Sequence, residues 1–227
     1  MDKLYINLSE EKGDNPLKIG ICAGMKDLKA IELGMKAVYN ENAGEYDKQR
    51  SKSLFEKSWL DKFLVHLDDR DEILDIGCGP AEPIAKYFIE KGFKITGIDF
   101  SKKMIEIAKS RFPNENWLVQ DMRELDLEKK FKGIIAWDSF FHLNQEDQKK
   151  TLSLILSKLK PGGVFLTTVG PDSGEVTGQV NGEEVYHSSL SQAEYRDILD
   201  SGSCELLEFV ANDPDCTGHS VLLVKKN

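Results

Sequence analysis

Two hydrophobic rhythms organise the chain. From Ser51 to Leu67 the apolar positions Leu54, Phe55, Trp59, Leu60, Phe63, Leu64 and Leu67 fall on one stripe at helical spacing. The charged turn Asp68-Asp69-Arg70-Asp71 ends that helix. Short apolar runs then alternate with helical stripes. Ile73–Ile76, Lys94–Ile98, Trp117–Val119, Gly133–Trp137 and Val164–Val169 read as strands. Between them lie helices marked by Ile84, Ala85, Phe88 and Ile89, by Ser101 as N-cap of a helix through Lys109, and by Asn144 as N-cap of a helix with Leu152, Ile155, Leu156 and Leu159 inward. Gly92 and Pro161-Gly162-Gly163 are the stop signals. Residues 171–190 interrupt the alternation with a two-residue hairpin signal, Asn181-Gly182. Ser191 with Glu194 makes a capping box for a helix that runs through Asp200 and stops at Gly202. Glu205–Val210 and Ser220–Val224 close the chain with no helix between them, so they pair antiparallel. The order implies an α/β fold: a doubly wound, mostly parallel, seven-stranded Rossmann-like sheet with an antiparallel C-terminal strand. Residues 1–50 are expected to be an arm, with one helix near Leu28–Val38 and a weak strand signal at Leu17–Ile21; residues 51–227 form the main domain.

The stretch Glu72–Ala81, with Asp75, Gly77, Cys78 and Gly79, joins a buried strand to a helix through a glycine turn. Gly77 and Gly79 let the backbone bend sharply and come close to a ligand. Pro80 and Pro83 suit the first turn of the following helix, whose N-terminus then faces the bound molecule. That is the layout of a nucleotide-type cofactor site. Asp99 ends the second strand, beside that turn, where a carboxylate can hold both ribose hydroxyls; the alternative is a solvated strand-end carboxylate. Dinucleotide turns need a third glycine, but Glu82 occupies that position next to Pro83. A carboxylate at Asp75 sits poorly beside a pyrophosphate and suits a ligand carrying an ammonium and a sulfonium.

Leu74-Asp75-Ile76-Gly77-Cys78-Gly79 resembles the first signature of class I S-adenosylmethionine-dependent methyltransferases. Ile98-Asp99, Gln120-Asp121-Met122, Ala136-Trp137-Asp138 and Leu159-Lys160-Pro161-Gly162-Gly163 resemble the later motifs, in order, over residues 50–227. The resemblance implies S-adenosylmethionine as cofactor and S-adenosylhomocysteine as product. It places Gly77, Cys78 and Gly79 under the ligand, Asp75 near its methionine end and Asp99 on the ribose. Phe100 flanks the adenine, and Asp121 and Met122 read its polar edge. A backbone carbonyl near Trp137 accepts from the ammonium, although Trp137 reads equally as a core aromatic. Tyr39 and Tyr46 resemble tyrosines of a lid over the cofactor, or are ordinary amphipathic tyrosines.

On the acceptor side, Asp138-Ser139-Phe140-Phe141-His142 follows the fourth strand directly. His142 is the leading candidate for a base, since a free imidazole titrates near neutrality; the alternative is a helix-entry histidine. Asp138 and, more remotely, His187 are further catalytic candidates, and the insertion carrying Tyr186 and His187 is expected to enclose the acceptor. His66 and His219 read as structural or exposed.

Charge narrows the acceptor. Thirty basic against 39 acidic residues give a net charge of −9, which disfavours a phosphate backbone as partner. The Asn-Pro-Pro-Tyr motif of enzymes that methylate nucleic-acid bases is absent. A small-molecule acceptor is therefore expected, with no nucleic-acid partner and an open choice between monomer and dimer. No run of 18 apolar residues marks a membrane span, the N-terminus lacks a signal-peptide pattern, and the four cysteines show no metal-ligand spacing, so a cytoplasmic setting and no metal are expected. Two readings compete: an NAD-linked oxidoreductase on the same fold, and a binder or non-methylating user of S-adenosylmethionine, such as an aminopropyl transferase.

Overall fold

The computed structural model describes residues 27–69 and 71–227. The strand signal at Leu17–Ile21 lies outside the described residues. Seven strands form one sheet: β1 (Glu72–Ile76), β2 (Lys94–Asp99), β3 (Asn116–Val119), β4 (Phe131–Ala136), β5 (Leu159–Val169), β8 (Cys204–Asp213) and β9 (His219–Lys226). Their spatial order is β3-β2-β1-β4-β5-β9-β8. All pairs are parallel except those of β9, which runs antiparallel to both β5 and β8. The link from β8 to β9 is only a short helical turn at Pro214–Cys216 and its flanks, too short to cross over the sheet, so β9 must reverse. The order of strands switches direction between β1 and β4. In such sheets the crevice beyond the strand C-termini at that point receives ligands.

Period-two alternation within buried strands feeds two cores. Ile73, Ile95 and Ile135 face one layer with Trp59, Phe63 and Phe88, carried by α3 (Lys57–Leu64) and α4 (Ile84–Glu90). Leu74, Ile76 and Ile134 face the other, with Leu152, Ile155 and Tyr195 from α6 (Gln145–Ser157) and α7 (Gln192–Ser201). The caps at Ser101, Asn144 and Ser191 form as expected, the last as a full capping box. No helix among the described residues is long and apolar enough to cross a membrane.

Two helices, α1 (Leu28–Glu41) and α2 (Ala43–Gln49), precede the sheet domain. The expected hairpin is present as β6 (Gly174–Val180) and β7 (Glu183–Ser189). Asn181 and Gly182 both take positive φ, +51° and +84°, as a two-residue primed turn requires. The hairpin does not join the main sheet. It packs on α1 through Met35, Val180, Val185 and Tyr186, a small third core.

Three local expectations change. The helix drawn from Ser51 begins only at Lys57. Leu54 has φ +53°, and Leu54 and Phe55 reach the core from a turn, so the apolar stripe is satisfied without helix. Pro80 lies outside α4, in the loop after Gly79, and Pro83 is the cap position. Pro161-Gly162-Gly163 belongs to β5 rather than to a stop after α6. Its glycines admit the bulge that separates the two stretches of pairing with β4.

Gly97 in β2 shows how tightly the layers close. A Cβ there would sit 2.3 Å from the Trp117 ring and 2.9 Å from the Cys78 sulfur. Gly97→Ala is therefore expected to lower stability by about 1–3 kcal/mol through overpacking. Urea unfolding of the variant against the parent checks it; an unchanged midpoint would show that Trp117 has room to move.

Candidate active site

The glycine turn after β1 is shaped by its neighbours. Gly77 has φ +71°, and a Cβ on it would lie 2.3 Å from Cβ of Ser139, so no side chain fits. Ser139 in turn donates through Oγ to the Ile76 carbonyl at 2.7 Å. The amides of Gly77 and Cys78 both donate to the Ile98 carbonyl at 2.8 and 3.0 Å, which ties the turn to β2. Asp99 completes the tie: Oδ2 accepts from the Gly79 amide at 3.0 Å and Oδ1 from the Ser101 amide at 2.7 Å.

Burial dominates the electrostatics of this turn. It pushes the Asp99 carboxyl up to about 6, with the two amide bonds pulling the other way. Asp75 is pushed up to about 7, by burial first and then by the charge of Asp99. Burial also raises the Cys78 thiol, so Cys78 is a neutral wall and not a nucleophile.

Two compartments open above these residues. The larger, about 1010 Å³ counting its open mouth, has Asp99, Phe100, Asp121, Met122, Tyr39 and His142 in its wall. The smaller, about 410 Å³, has Arg50, Asp75, Cys78 and Trp137. Tyr46, Gly77, Gly79 and Asp138 line both, so the compartments meet over the glycine turn. The candidate residues thus converge, with one exception. His187 lies behind the wall, its ring 4.8 Å from both Phe141 and His142, in space left by Gly178. Burial pushes it down to about 3, so it is a neutral packing group there.

His142 is in the wall, but its nitrogens are engaged. Nδ1 lies 2.8 Å from the Tyr186 carbonyl, which can only accept, so Nδ1 carries the proton. Nε2 is then the acceptor for the Tyr39 hydroxyl at 2.7 Å. Burial pushes the imidazole down to about 4. A base whose lone pair is occupied and whose conjugate acid forms only near pH 4 is weak at neutrality. The arrangement instead fixes Tyr39 with its hydroxyl oxygen at the cavity wall. Asp121 is likewise engaged: burial raises its pKa, but the paired Arg123 guanidinium at 2.6 and 3.0 Å outweighs that and holds the carboxylate below its usual range.

The floor of the smaller compartment carries charge that the motif pattern did not signal. Arg50 donates from Nη2 to Oε1 of Glu56 at 2.5 Å and lies 3.6 Å from Oδ2 of Asp138; all three side chains are buried. Asp138 takes φ +50°, a conformation aspartate tolerates, with its amide on the Thr168 hydroxyl at 2.8 Å. His219 meets Asp138 Oδ1 at 3.0 Å and is buried, so of the two expectations, structural or exposed, only the exposed one falls. Arg50 sits in a charged surface-like run, Asp47-Lys48-Gln49-Arg50, which hides it. His219 had a signal: a titratable residue opening an otherwise apolar strand. Several buried atoms here have no partner among the described residues: Arg50 Nη1, Trp137 Nε1, Asp138 Oδ2 and Glu56 Oε2.

Helices α1 and α2 roof the cavity. Tyr39 and Tyr46 stand edge-on at 5.8 Å, and Tyr39 meets Phe100 at 6.0 Å. Arg111, at the end of α5 (Lys102–Arg111), ties Asp47 of the roof at 2.8 Å to the Pro80 carbonyl of the glycine loop at 2.7 Å.

Residues 73–163 match the family model described as a methyltransferase domain. The fold of the described residues is similar to that of solved S-adenosylmethionine-dependent methyltransferases. Residues 73–163 are thus similar to a methyltransferase domain, and the fold around them is similar to that of solved methyltransferases. Among the relatives, YqeM of Bacillus subtilis (strain 168) is 32% identical over 138 residues, 58% of this chain and 55% of that protein. Malonyl-[acyl-carrier protein] O-methyltransferase of Salmonella typhimurium is 26% identical over 134 residues, 58% of this chain and 51% of its own. The chain thus spans about half the length of the curated relatives it matches. Among solved folds, the 1,6-didemethyltoxoflavin-N1-methyltransferase of Burkholderia thailandensis superposes with a TM-score of 0.67 at 17% identity, over 94% of this chain and 100% of that one.

Asp75 makes a pH prediction. Its folded pKa, near 7, lies above the unfolded carboxylate range. The folded protein therefore binds a proton that the unfolded chain releases, and that stability is complete below about pH 4 and lost as pH rises through 7. Asp75→Asn is expected to raise ligand-free stability at pH 8 by on the order of 2 kcal/mol and to change it little at pH 5. Thermal unfolding at the two pH values checks this; equal shifts at both would mean Asp75 is ionised throughout.

Proposed function

We propose that this chain transfers a methyl group from S-adenosylmethionine to a small-molecule acceptor by in-line displacement. The observation that carries the reading is the unpaired set on the floor of the smaller compartment, joined over Gly77 and Gly79 to the cavity of Asp99 and Phe100. Two orphan donors, Arg50 Nη1 and Trp137 Nε1, suit a carboxylate, and the orphan acceptor, Asp138 Oδ2, suits an ammonium. A ligand with an amino-acid end and a nucleoside end satisfies both compartments at once. NAD has no amino-acid end to offer.

In this reading Asp99 holds the ribose diol, exchanging its Gly79 bond or sharing it. Phe100 and Met122 flank the adenine, and Asp121, already ordered by Arg123, faces its polar edge. Asp75, poised near neutrality, ionises as the cationic end arrives. S-adenosylmethionine, when bound, supplies a methyl already activated on a sulfonium. What remains for the protein is alignment and exclusion of water, which in favourable intramolecular cases is worth roughly 7–11 kcal/mol. The roof of α1 and α2 does the excluding, so residues 1–50 are read as arm and lid to the domain of residues 51–227. Tyr39, pinned by His142, presents an oxygen to the acceptor; His142 and Asp138 act through it and through the ligand's charged end, and His187 supports His142 from behind. General-base help, typically about 10²–10⁴-fold, is not built into His142 as it stands.

The acceptor is read as small for two reasons. The net charge of −9 disfavours nucleic acid. The cavity is roofed by helices and flanked by the hairpin, which leaves little room for a polymer. The relatives named above act, by their names, on malonyl-[acyl-carrier protein] and on 1,6-didemethyltoxoflavin, so the resemblance alone does not select the acceptor. Free thiols at Cys78, Cys204 and Cys216 fit the proposed cytoplasmic setting.

Calorimetry with S-adenosylmethionine, S-adenosylhomocysteine and NAD tests the cofactor. Binding of the first two is expected, and Asp99→Ala is expected to weaken both by about 1–3 kcal/mol. Binding of NAD alone would overturn the proposal. Product detection across a panel of amine, hydroxyl, thiol and carboxylate acceptors then separates methyl transfer from simple binding or aminopropyl transfer.

A further inference from the structure

His219 is 81 residues from Asp138 in sequence, on a strand two places away in the sheet, yet the two side chains touch. Its ring is held on all sides. It stacks on Trp137 at 5.8 Å and 28°, and packs against Phe55 at 5.3 Å. It is 3% exposed, so it cannot turn. Nδ1 lies 2.8 Å from the Cys216 carbonyl and 2.9 Å from the Thr217 hydroxyl. A carbonyl only accepts, so Nδ1 carries a proton whatever the pH. The state of Nε2 is then set by Asp138 Oδ1, 3.0 Å away. If Asp138 is ionised, Nε2 must carry a proton too and the ring is an imidazolium. If Nε2 were bare, two acceptors would face each other in a dry site.

The surrounding charges favour the ion pair. Arg50 lies 3.6 Å from Asp138 Oδ2, but it is already matched by Glu56 at 2.5 Å. His219 is therefore the cation that balances Asp138. The other groups facing the pair are the neutral His142, the phenols of Tyr39 and Tyr46, and, behind the turn, the Cys216 thiol and Asp213. Burial alone lowers His219, but Asp138 outweighs it and raises the imidazole above its ordinary value. Burial raises Asp138, and His219 and Arg50 outweigh that in turn.

We infer that His219 is a positioning residue of the ligand site: as an imidazolium it binds Oδ1 of Asp138, keeps that carboxylate ionised and leaves Oδ2 for the ligand's ammonium end. His219 has no place in the wall of either compartment and acts only through Asp138. The inference rests on the S-adenosylmethionine reading for the identity of the ligand, but the ion pair itself does not.

Two variants and one titration test it. His219→Phe keeps the ring stack and removes the donor; Asp138 is then expected to hold its proton at neutral pH. Affinity for S-adenosylhomocysteine at pH 7 should fall roughly 10- to 100-fold and recover as pH rises. His219→Gln places an amide donor near the Nε2 position and should stay closer to the parent at pH 7. Nitrogen chemical shifts of the ligand-free parent should show both His219 nitrogens protonated above pH 6.5, and Asp138→Asn should abolish that. Parent-like affinity and pH profile in His219→Phe, with its fold confirmed by circular dichroism, would overturn the inference, as would equal losses in Phe and Gln. A neutral His219 at pH 6.5 in the parent would also overturn it. If the parent binds no S-adenosylhomocysteine, the ligand reading falls and the positioning role with it, while the titration still reports whether the ion pair exists.

Discussion

Three carboxylates, Asp75, Asp99 and Asp138, are buried at or just past the C-terminal ends of neighbouring strands, and the surrounding structure answers the cost of burying them. Each is answered differently. Asp99 is held by backbone amides of the glycine turn and of the next helix start. Asp138 is balanced by a histidine from the far end of the chain. Asp75 has no counter-charge, and its carboxyl moves towards neutrality instead. This gradation matters for function: a site that is fully self-satisfied has nothing left to offer a ligand, whereas here Arg50 Nη1, Trp137 Nε1 and Asp138 Oδ2 are unmatched and their residues line one compartment.

The same constraint explains the roof. Carboxylates at a sheet edge in open water would be ordinary surface groups. Helices α1 and α2, pinned by Arg111 and by the hairpin through Met35 and Tyr186, cover the crevice and so strengthen each charge within it. The hairpin's own small core makes the roof a packed unit rather than a loose arm. Tyr39, Tyr46 and the His142 ring are at once part of that packing and part of the cavity wall.

The fold was legible because its signals are local. Glycine turns, caps at Ser101, Asn144 and Ser191, and a primed Asn181-Gly182 turn each act within a few residues. The glycine-turn half of the candidate site was legible for the same reason: Asp75, Gly77, Gly79 and Asp99 lie at or just past strand ends whose position follows from sheet topology. Local patterning failed where a residue's role comes from a distant partner. The stripe from Ser51 to Leu67 satisfies helical periodicity, yet its first residues turn so that Glu56 can meet Arg50.

The sequence by itself thus determined the mostly parallel sheet with its antiparallel closing pair and the glycine turn, since these depend on backbone geometry encoded residue by residue. Tertiary structure alone decided which titratable groups are charged. His142 and His187 have the same intrinsic chemistry as His219, but burial without a hydrogen-bonded carboxylate pushes the first two down, and the carboxylate of Asp138 bonded to the third raises it. Protonation is set by the field of neighbours brought from elsewhere in the chain, and no spacing along the chain records it.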